Sequence, residues 1–222
     1  MMIFLFSKFY LSRNRIIADM DSNIKKIDTV ILDFGKVLID FTPIDFLKKL
    51  GISDEKVESV YNAVIGNEIW EEYDKGIMSE AEALDEFIRR ASHLECEITQ
   101  AFFNLKGIVK KYDYTDAWIR DLKNRGYRVL YLSNLSEKLF RECKDEFDYI
   151  KNMDGGIISF KEKMKKPDRE IYERLIEKYE LNPKRSVFVD DRQENLIEAG
   201  NLGINTILFH NYEDTCNKIY DF

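Results

Sequence analysis

Apolar residues along most of this chain alternate between short continuous runs and stripes at helical spacing. Val30-Ile31-Leu32 is such a run, and it ends abruptly on Asp33 with Gly35 two residues later. A run of this length predicts a strand buried on both faces of a parallel sheet. Gly35 allows a sharp turn at its end. Similar runs span Tyr127 to Leu132, Gly156 to Phe160, Ser186 to Val189 and Asn205 to His210. Between them the pattern is helical over Thr115 to Asn124, Ser136 to about Phe147, Pro167 to Tyr179 and Asn195 to Ala199. Strands alternating with helices predict an α/β protein with a doubly wound parallel sheet.

The alternation is interrupted once. From Ile44 to about Tyr112 the spacing is helical throughout, with Ser53 and Ser79 as N-caps and Gly51 as a helix stop. This stretch shows no strand signal. A block of this length between two strands reads as an inserted helical subdomain rather than a crossover. The chain therefore divides into a core over 27–43 and 113–222, a helical insert over 44–112, and an N-terminal extension over 1–26. In the extension, the apolar start Met1 to Phe6 is too short to cross a bilayer, and its charges follow the run, unlike those of a signal peptide. Met20 is a candidate start just before the first strand unit.

Composition narrows the partners. The 222 residues are 45% hydrophobic and 34% charged with a net charge of -7, which fits a soluble domain and argues against nucleic-acid binding. Three scattered cysteines, Cys96, Cys143 and Cys216, fit free thiols in a cytoplasmic protein. With only His93 and His210, any metal site must be built from oxygens.

Three strand ends carry polar groups: Asp33, Ser133-Asn134 and Asp190-Asp191. In a parallel sheet these ends share one edge, where open α/β sheets bind ligands. Three carboxylates gathered there repel one another, and a divalent cation with oxygen ligands, Mg²⁺ above all, relieves the repulsion. Lys166 precedes Pro167 at a predicted helix start, a natural phosphate site. The blander readings are an acidic turn for Asp190-Asp191 and a solvated lysine for Lys166.

With these residues in place, the chain from about Ile27 to His210 resembles the haloacid dehalogenase superfamily of hydrolases. The matching motifs are, in order, Asp33-Phe34-Gly35, Leu132-Ser133-Asn134, Lys166-Pro167 and Val189-Asp190-Asp191 with Asn195. The helical insert resembles the small cap of one branch. The resemblance implies a phosphatase acting on a small phosphorylated metabolite, such as a sugar phosphate. It implies that Asp33 is the nucleophile and that Asp33, the Gly35 carbonyl, Asp190 and Asp191 hold Mg²⁺. Ser133, Asn134 and Lys166 are the phosphate-binding groups it implies. The resemblance implies neither a nucleic-acid nor a membrane partner.

One position departs from the family's commonest pattern. A second Asp, two residues after the nucleophile, usually serves as general acid; here it is Gly35, an Asp-x-Gly form shared with sugar-phosphatase-like members. Without another proton source, this favours esters with good leaving groups. It also motivates one rival, a weakly active or inactive member that binds phosphate ligands or a partner protein. A metal-independent dehalogenase is the second rival, and the Asp190-Asp191 pair argues against it. Lys36 has no evident role. Trp70, Tyr73, Lys75 and Gly76 of the insert are weaker candidates for substrate contact, with cap core as the alternative. His93 and His210 are expected to be non-catalytic.

Overall fold

The computed structural model describes residues 27–222, so the predicted extension lies outside the described residues. Five strands, β1 (Thr29–Leu32), β4 (Arg128–Ser133), β5 (Gly155–Ile158), β6 (Ser186–Asp190) and β7 (Asn205–Leu208), form one parallel sheet in the order β5-β4-β1-β6-β7. β1 is central and wholly buried, as its unbroken apolar run requires. Its pairing sets Leu32 beside Tyr131 on one side and Val189 on the other, which brings three strand ends together.

Helices cover both faces. Ile31, Leu130, Leu132 and Phe188 point to one face, against α9 (Arg169–Tyr179) and α10 (Gln193–Asn201) through Ile171, Tyr172, Leu175 and Ala199. Val30, Leu32, Val129 and Val187 point to the other, against α6 (Thr115–Asn124) and α11 (Tyr212–Tyr220). That second core runs on into the insert. There α1 (Pro43–Lys49), α2 (Asp54–Val64), α3 (Glu68–Asp74), α4 (Glu80–Arg90) and α5 (Glu95–Phe103) pack around Val60, Phe87 and Phe102. α4 begins with a full capping box between Ser79 and Glu82. No helix of the described residues is long and apolar enough to cross a membrane.

Several predicted elements are corrected. A strand, β3 (Val109–Lys111), closes the insert and pairs antiparallel with β2 (Ile39–Phe41). Three residues, two of them lysines, carry no readable period, so the ribbon escaped the sequence pattern. The run Gly156 to Phe160 splits into β5 and a short helix, α8 (Ser159–Glu162). The predicted helix from Ser136 becomes α7 (Glu137–Glu142) followed by a 3₁₀ stretch, Lys144–Asn152. The helix expected from Pro167 starts at Arg169, because a turn closed by the Asp168 amide on the Lys165 carbonyl (2.9 Å) takes up Lys166 and Pro167.

Candidate active site

β1, β4 and β6 deliver Asp33, Ser133 and Asp190 to one edge of the sheet. The Asp33 amide donates to the Val189 carbonyl at 3.0 Å, so the backbone that carries the carboxylate is tied to β6. Asp33 Oδ1 accepts from the Phe34 amide at 2.7 Å and lies 2.8 Å from Lys166 Nζ. The same ammonium is 2.6 Å from Asp190 Oδ2. Asp190 is fully buried and further held by the Arg192 amide (2.8 Å) and by Asn195 Nδ2 (2.9 Å), both on Oδ1.

Charge in this cluster does not balance. One buried lysine faces Asp33, Asp190 and Asp191, whose oxygens lie within 4.8 Å of one another. Burial pushes the Asp33 carboxyl up to about 7; Lys166 opposes the shift, and Asp190 and Asp191 add to it. Burial opposes the Lys166 charge too, but Asp190 and Asp33 outweigh it and hold the lysine above its usual range. Burial, then Asp190, raises the Asp191 carboxyl, and Lys36 partly offsets this from 3.9 Å. A dense set of hard oxygens with surplus negative charge fits a small divalent cation such as Mg²⁺.

Ser133 is buried, and its hydroxyl finds only the Asn134 carbonyl, at a long 3.5 Å, so it is available to a ligand. The Asn134 side chain is engaged with the Lys166 backbone at 2.8 and 2.9 Å, so its backbone is the part left for a ligand in the cavity that Asn134 lines. A Cβ added at Gly35 would meet nothing within 4 Å. The backbone at this position therefore leaves room for the first carbon of a side chain. Lys36 holds a left-handed backbone (φ 56°) and reaches toward Asp191.

All of the predicted site residues except buried Asp190 line one cavity of about 720 Å³ between the sheet edge and the insert. Of the weaker candidates, Trp70 lines it and stacks on Phe87, whereas Tyr73 is buried in the insert. Lys75 pairs with Asp168 at 3.5 Å, and the Gly76 carbonyl accepts from Lys163. His93 is exposed and outside the cavity; His210 is exposed at a neighbouring cleft. The structure adds one residue, Asp74, whose carboxyl is pushed up to about 7, first by burial. No sequence signal separates it from Glu68, Glu71 and Glu72 on the same helix.

A parallel sheet of this order, with a carboxylate, a hydroxyl, a lysine and an acidic pair at its edge, defines an α/β protein with an anion- and cation-binding site at the carboxyl ends of its strands. More narrowly, a model of haloacid dehalogenase-like hydrolases matches residues 27–203, and the chain belongs to that family. It is similar to the sesquiterpene phosphatase astK of Aspergillus oryzae, at 26% identity over 178 residues, 78% of this chain and 85% of that protein. It is also similar, at 26% identity over 198 residues, to the drimenol cyclase drtB of Aspergillus calidoustus, where the match spans 86% of this chain and 35% of the longer protein. A magnesium complex of the HAD family enzyme BT-2542 of Bacteroides thetaiotaomicron superposes with a TM-score of 0.68 at 25% identity. The match covers 87% of this chain and 98% of that one.

Proposed function

We propose that the protein is a Mg²⁺-dependent phosphatase that hydrolyses a small phosphorylated metabolite through an aspartyl-phosphate on Asp33. The observation that carries this reading is the placement of Lys166 between Asp33 and Asp190, at 2.8 and 2.6 Å, within a carboxylate set that exceeds its charge. Phosphoryl transfer relies on positioning and charge neutralisation, and this arrangement supplies both.

Both bonds to the Asp33 carboxylate fall on Oδ1, which leaves Oδ2 to attack phosphorus. The bond from Oδ2 to phosphorus forms as the ester P–O bond breaks, and the leaving oxygen takes a proton. Water then attacks the aspartyl-phosphate, releasing inorganic phosphate and restoring Asp33. The Ser133 hydroxyl, the Asn134 backbone and the Lys166 ammonium share the phosphoryl charge. Asp33, Asp190, Asp191 and the Gly35 carbonyl would hold Mg²⁺, which when bound neutralises the carboxylates and polarises the phosphoryl group. The insert over 44–112 acts as the cap, since α3 forms one wall of the cavity.

The organic part of the substrate meets an apolar wall made by Ile39, Phe41, Ile65, Val109, Leu135 and Leu139. That wall gives a hydrocarbon-rich ester, of the kind named for the Aspergillus oryzae relative, a surface to pack on, while the polar residues of α3 opposite would suit a sugar phosphate. Mg²⁺-dependent release of p-nitrophenol from its phosphate ester tests the activity. A panel of terpenoid and sugar phosphates separates the two substrate classes. Absence of hydrolysis with any ester would leave the phosphate-binding, inactive reading in its place.

A further inference from the structure

Hydrolysis of an alkyl phosphate requires a proton for its leaving oxygen, and the loop that carries Asp33 offers no carboxyl to supply it, because position 35 is glycine and Lys36 turns toward Asp191. The carboxyls that could serve instead lie on another wall of the cavity, on α3. Glu68 and Glu71 on α3 line it but are exposed and engaged, Glu68 with Arg90 at 2.7 Å and Glu71 with Lys165 at 3.1 Å. Asp74 ends the same helix and also lines the cavity, yet has no cationic partner among the described residues.

Asp74 is fixed in place from the core. Its carbonyl accepts from the Ser159 hydroxyl at 2.5 Å, and that hydroxyl in turn accepts from the Leu135 amide at 2.9 Å, two residues past Ser133. Ser136, whose hydroxyl caps the Leu139 amide at 3.4 Å, is the neighbour that most favours the Asp74 anion. Asp74 Oδ1 is enclosed and meets no hydrogen-bond partner. A buried acceptor left unsatisfied is costly, and such groups cluster where a ligand or a proton completes them.

We propose that Asp74 is the general acid–base of this active site, giving its proton to the leaving oxygen in the first half-reaction and taking one from the attacking water in the second. The step balances: the ester oxygen departs as a neutral alcohol, Asp74 is left ionised, and the proton lost by water restores it. The proposal rests on the phosphatase reading above.

Its electrostatics suit the role. Burial raises the Asp74 carboxyl to about 7, against hydrogen bonds from Ser136 and Trp70 that favour the anion, while Glu71 adds repulsion. A carboxyl that titrates near neutrality is matched to both halves of the cycle. Its position in the last turn of α3 likewise disfavours a permanent anion.

The test compares Asp74→Asn and Asp74→Ala with the wild type on p-nitrophenyl phosphate and on an alkyl phosphate of similar size, both with Mg²⁺. A general acid contributes about 10²–10⁴ in rate, mostly for poor leaving groups. The proposal expects kcat/KM for the alkyl ester to fall by about 10² more than for the aryl ester. It also expects the alkyl pH profile to lose its basic limb, set by deprotonation of Asp74, while the acidic limb set by ionisation of Asp33 stays, and Gly35→Asp in the Asp74→Asn background to recover alkyl activity. A carbon-detected NMR titration of the Asp74 carboxyl provides a readout independent of turnover, with a midpoint near 7 expected. Equal losses on both esters, no loss on either, or a midpoint near 4 would overturn the proposal alone. A wild type inactive on every ester, with the midpoint near 7 retained, would overturn the phosphatase reading and the catalytic role together.

Discussion

Asn134 and Lys166 are joined by a reciprocal pair of hydrogen bonds: Asn134 Nδ2 donates to the Lys166 carbonyl at 2.9 Å, and Asn134 Oδ1 accepts from the Lys166 amide at 2.8 Å. The amide side chain thus reads the backbone of the very residue whose ammonium bridges Asp33 and Asp190. A lysine at a tight turn has a flexible four-carbon stem, and fixing its backbone limits where the charge can go.

Asn134→Ala removes both bonds without touching the carboxylates. Misplacement of a catalytic group by about 1 Å costs on the order of 10² in rate, so kcat should fall about 10–100-fold with little change in Tm. Asn134→Asp keeps the acceptor but loses the donor to the Lys166 carbonyl, and should fall at least as far. Unchanged kcat in both variants would show that the turn around Lys166 needs no clamp.

Asp33→Asn should remove turnover, with a loss of at least about 10⁴ in kcat as for deletion of other covalent nucleophiles. The fold should survive. The substitution takes one negative charge from a cluster in which burial, Asp190 and Asp191 all oppose ionisation of Asp33, and Lys166 keeps its contact with Asp190. Tm equal to or above the wild type, measured without Mg²⁺, is the expected companion result. Wild-type turnover in this variant would remove Asp33 from the mechanism.

Mg²⁺ should stabilise the folded protein, because an ion that binds only the native state raises stability by mass action. The wild-type Tm should climb with Mg²⁺ concentration and return to its starting value with a chelator. Asp191→Asn is the informative variant, since Asp191 is only half-buried and, unlike Asp190, accepts none of the hydrogen bonds that tie the strand end together. Its Mg²⁺ affinity should be about tenfold weaker or worse, read by calorimetry. An unchanged affinity would place the ion elsewhere.

How much was legible in the sequence follows from which residues had local signals. Val30-Ile31-Leu32 and Ser186-Val187-Phe188-Val189 announce buried parallel strands because both of their faces are apolar, and the residues at their ends could be placed from that alone. The partners of those residues were another matter. Asn134 holding the Lys166 backbone spans 32 positions, and no local pattern encodes a pairing across two turns. β3 escaped notice because two of its three residues are lysines. Asp74 escaped because its difference from Glu68, Glu71 and Glu72 is burial against Ser136 and the loop after β4, which exists only once the insert has docked.

Stability should record the Asp74 environment directly. An aspartate in an unfolded chain titrates near its ordinary value of 3.8, whereas burial raises Asp74 to about 7 in the folded protein. Between those values the folded state keeps a proton that the unfolded chain has already lost. Folding stability from this residue is therefore complete below about pH 4, declines as pH rises, and is lost above about pH 7. Asn is neutral throughout and mimics the protonated side chain, so Asp74→Asn should match the wild type in acid and exceed it in base. A shift of this size is worth about 4 kcal/mol without relaxation. Rearrangement of Ser136 and entry of water lower that to roughly 1–3 kcal/mol at pH 8. Titration of every other carboxylate is common to both proteins and cancels in the difference. Denaturant unfolding of the pair at pH 5, 6, 7 and 8 gives the curve. A gap that widens with pH supports the raised carboxyl. A constant gap would show that Asp74 titrates alike in the folded and unfolded chains, and would leave the active site without the proton donor assigned to it. The sign also fits the chemistry: a group held at an unfavourable ionisation state lowers stability in exchange for reactivity, a common compromise at catalytic positions.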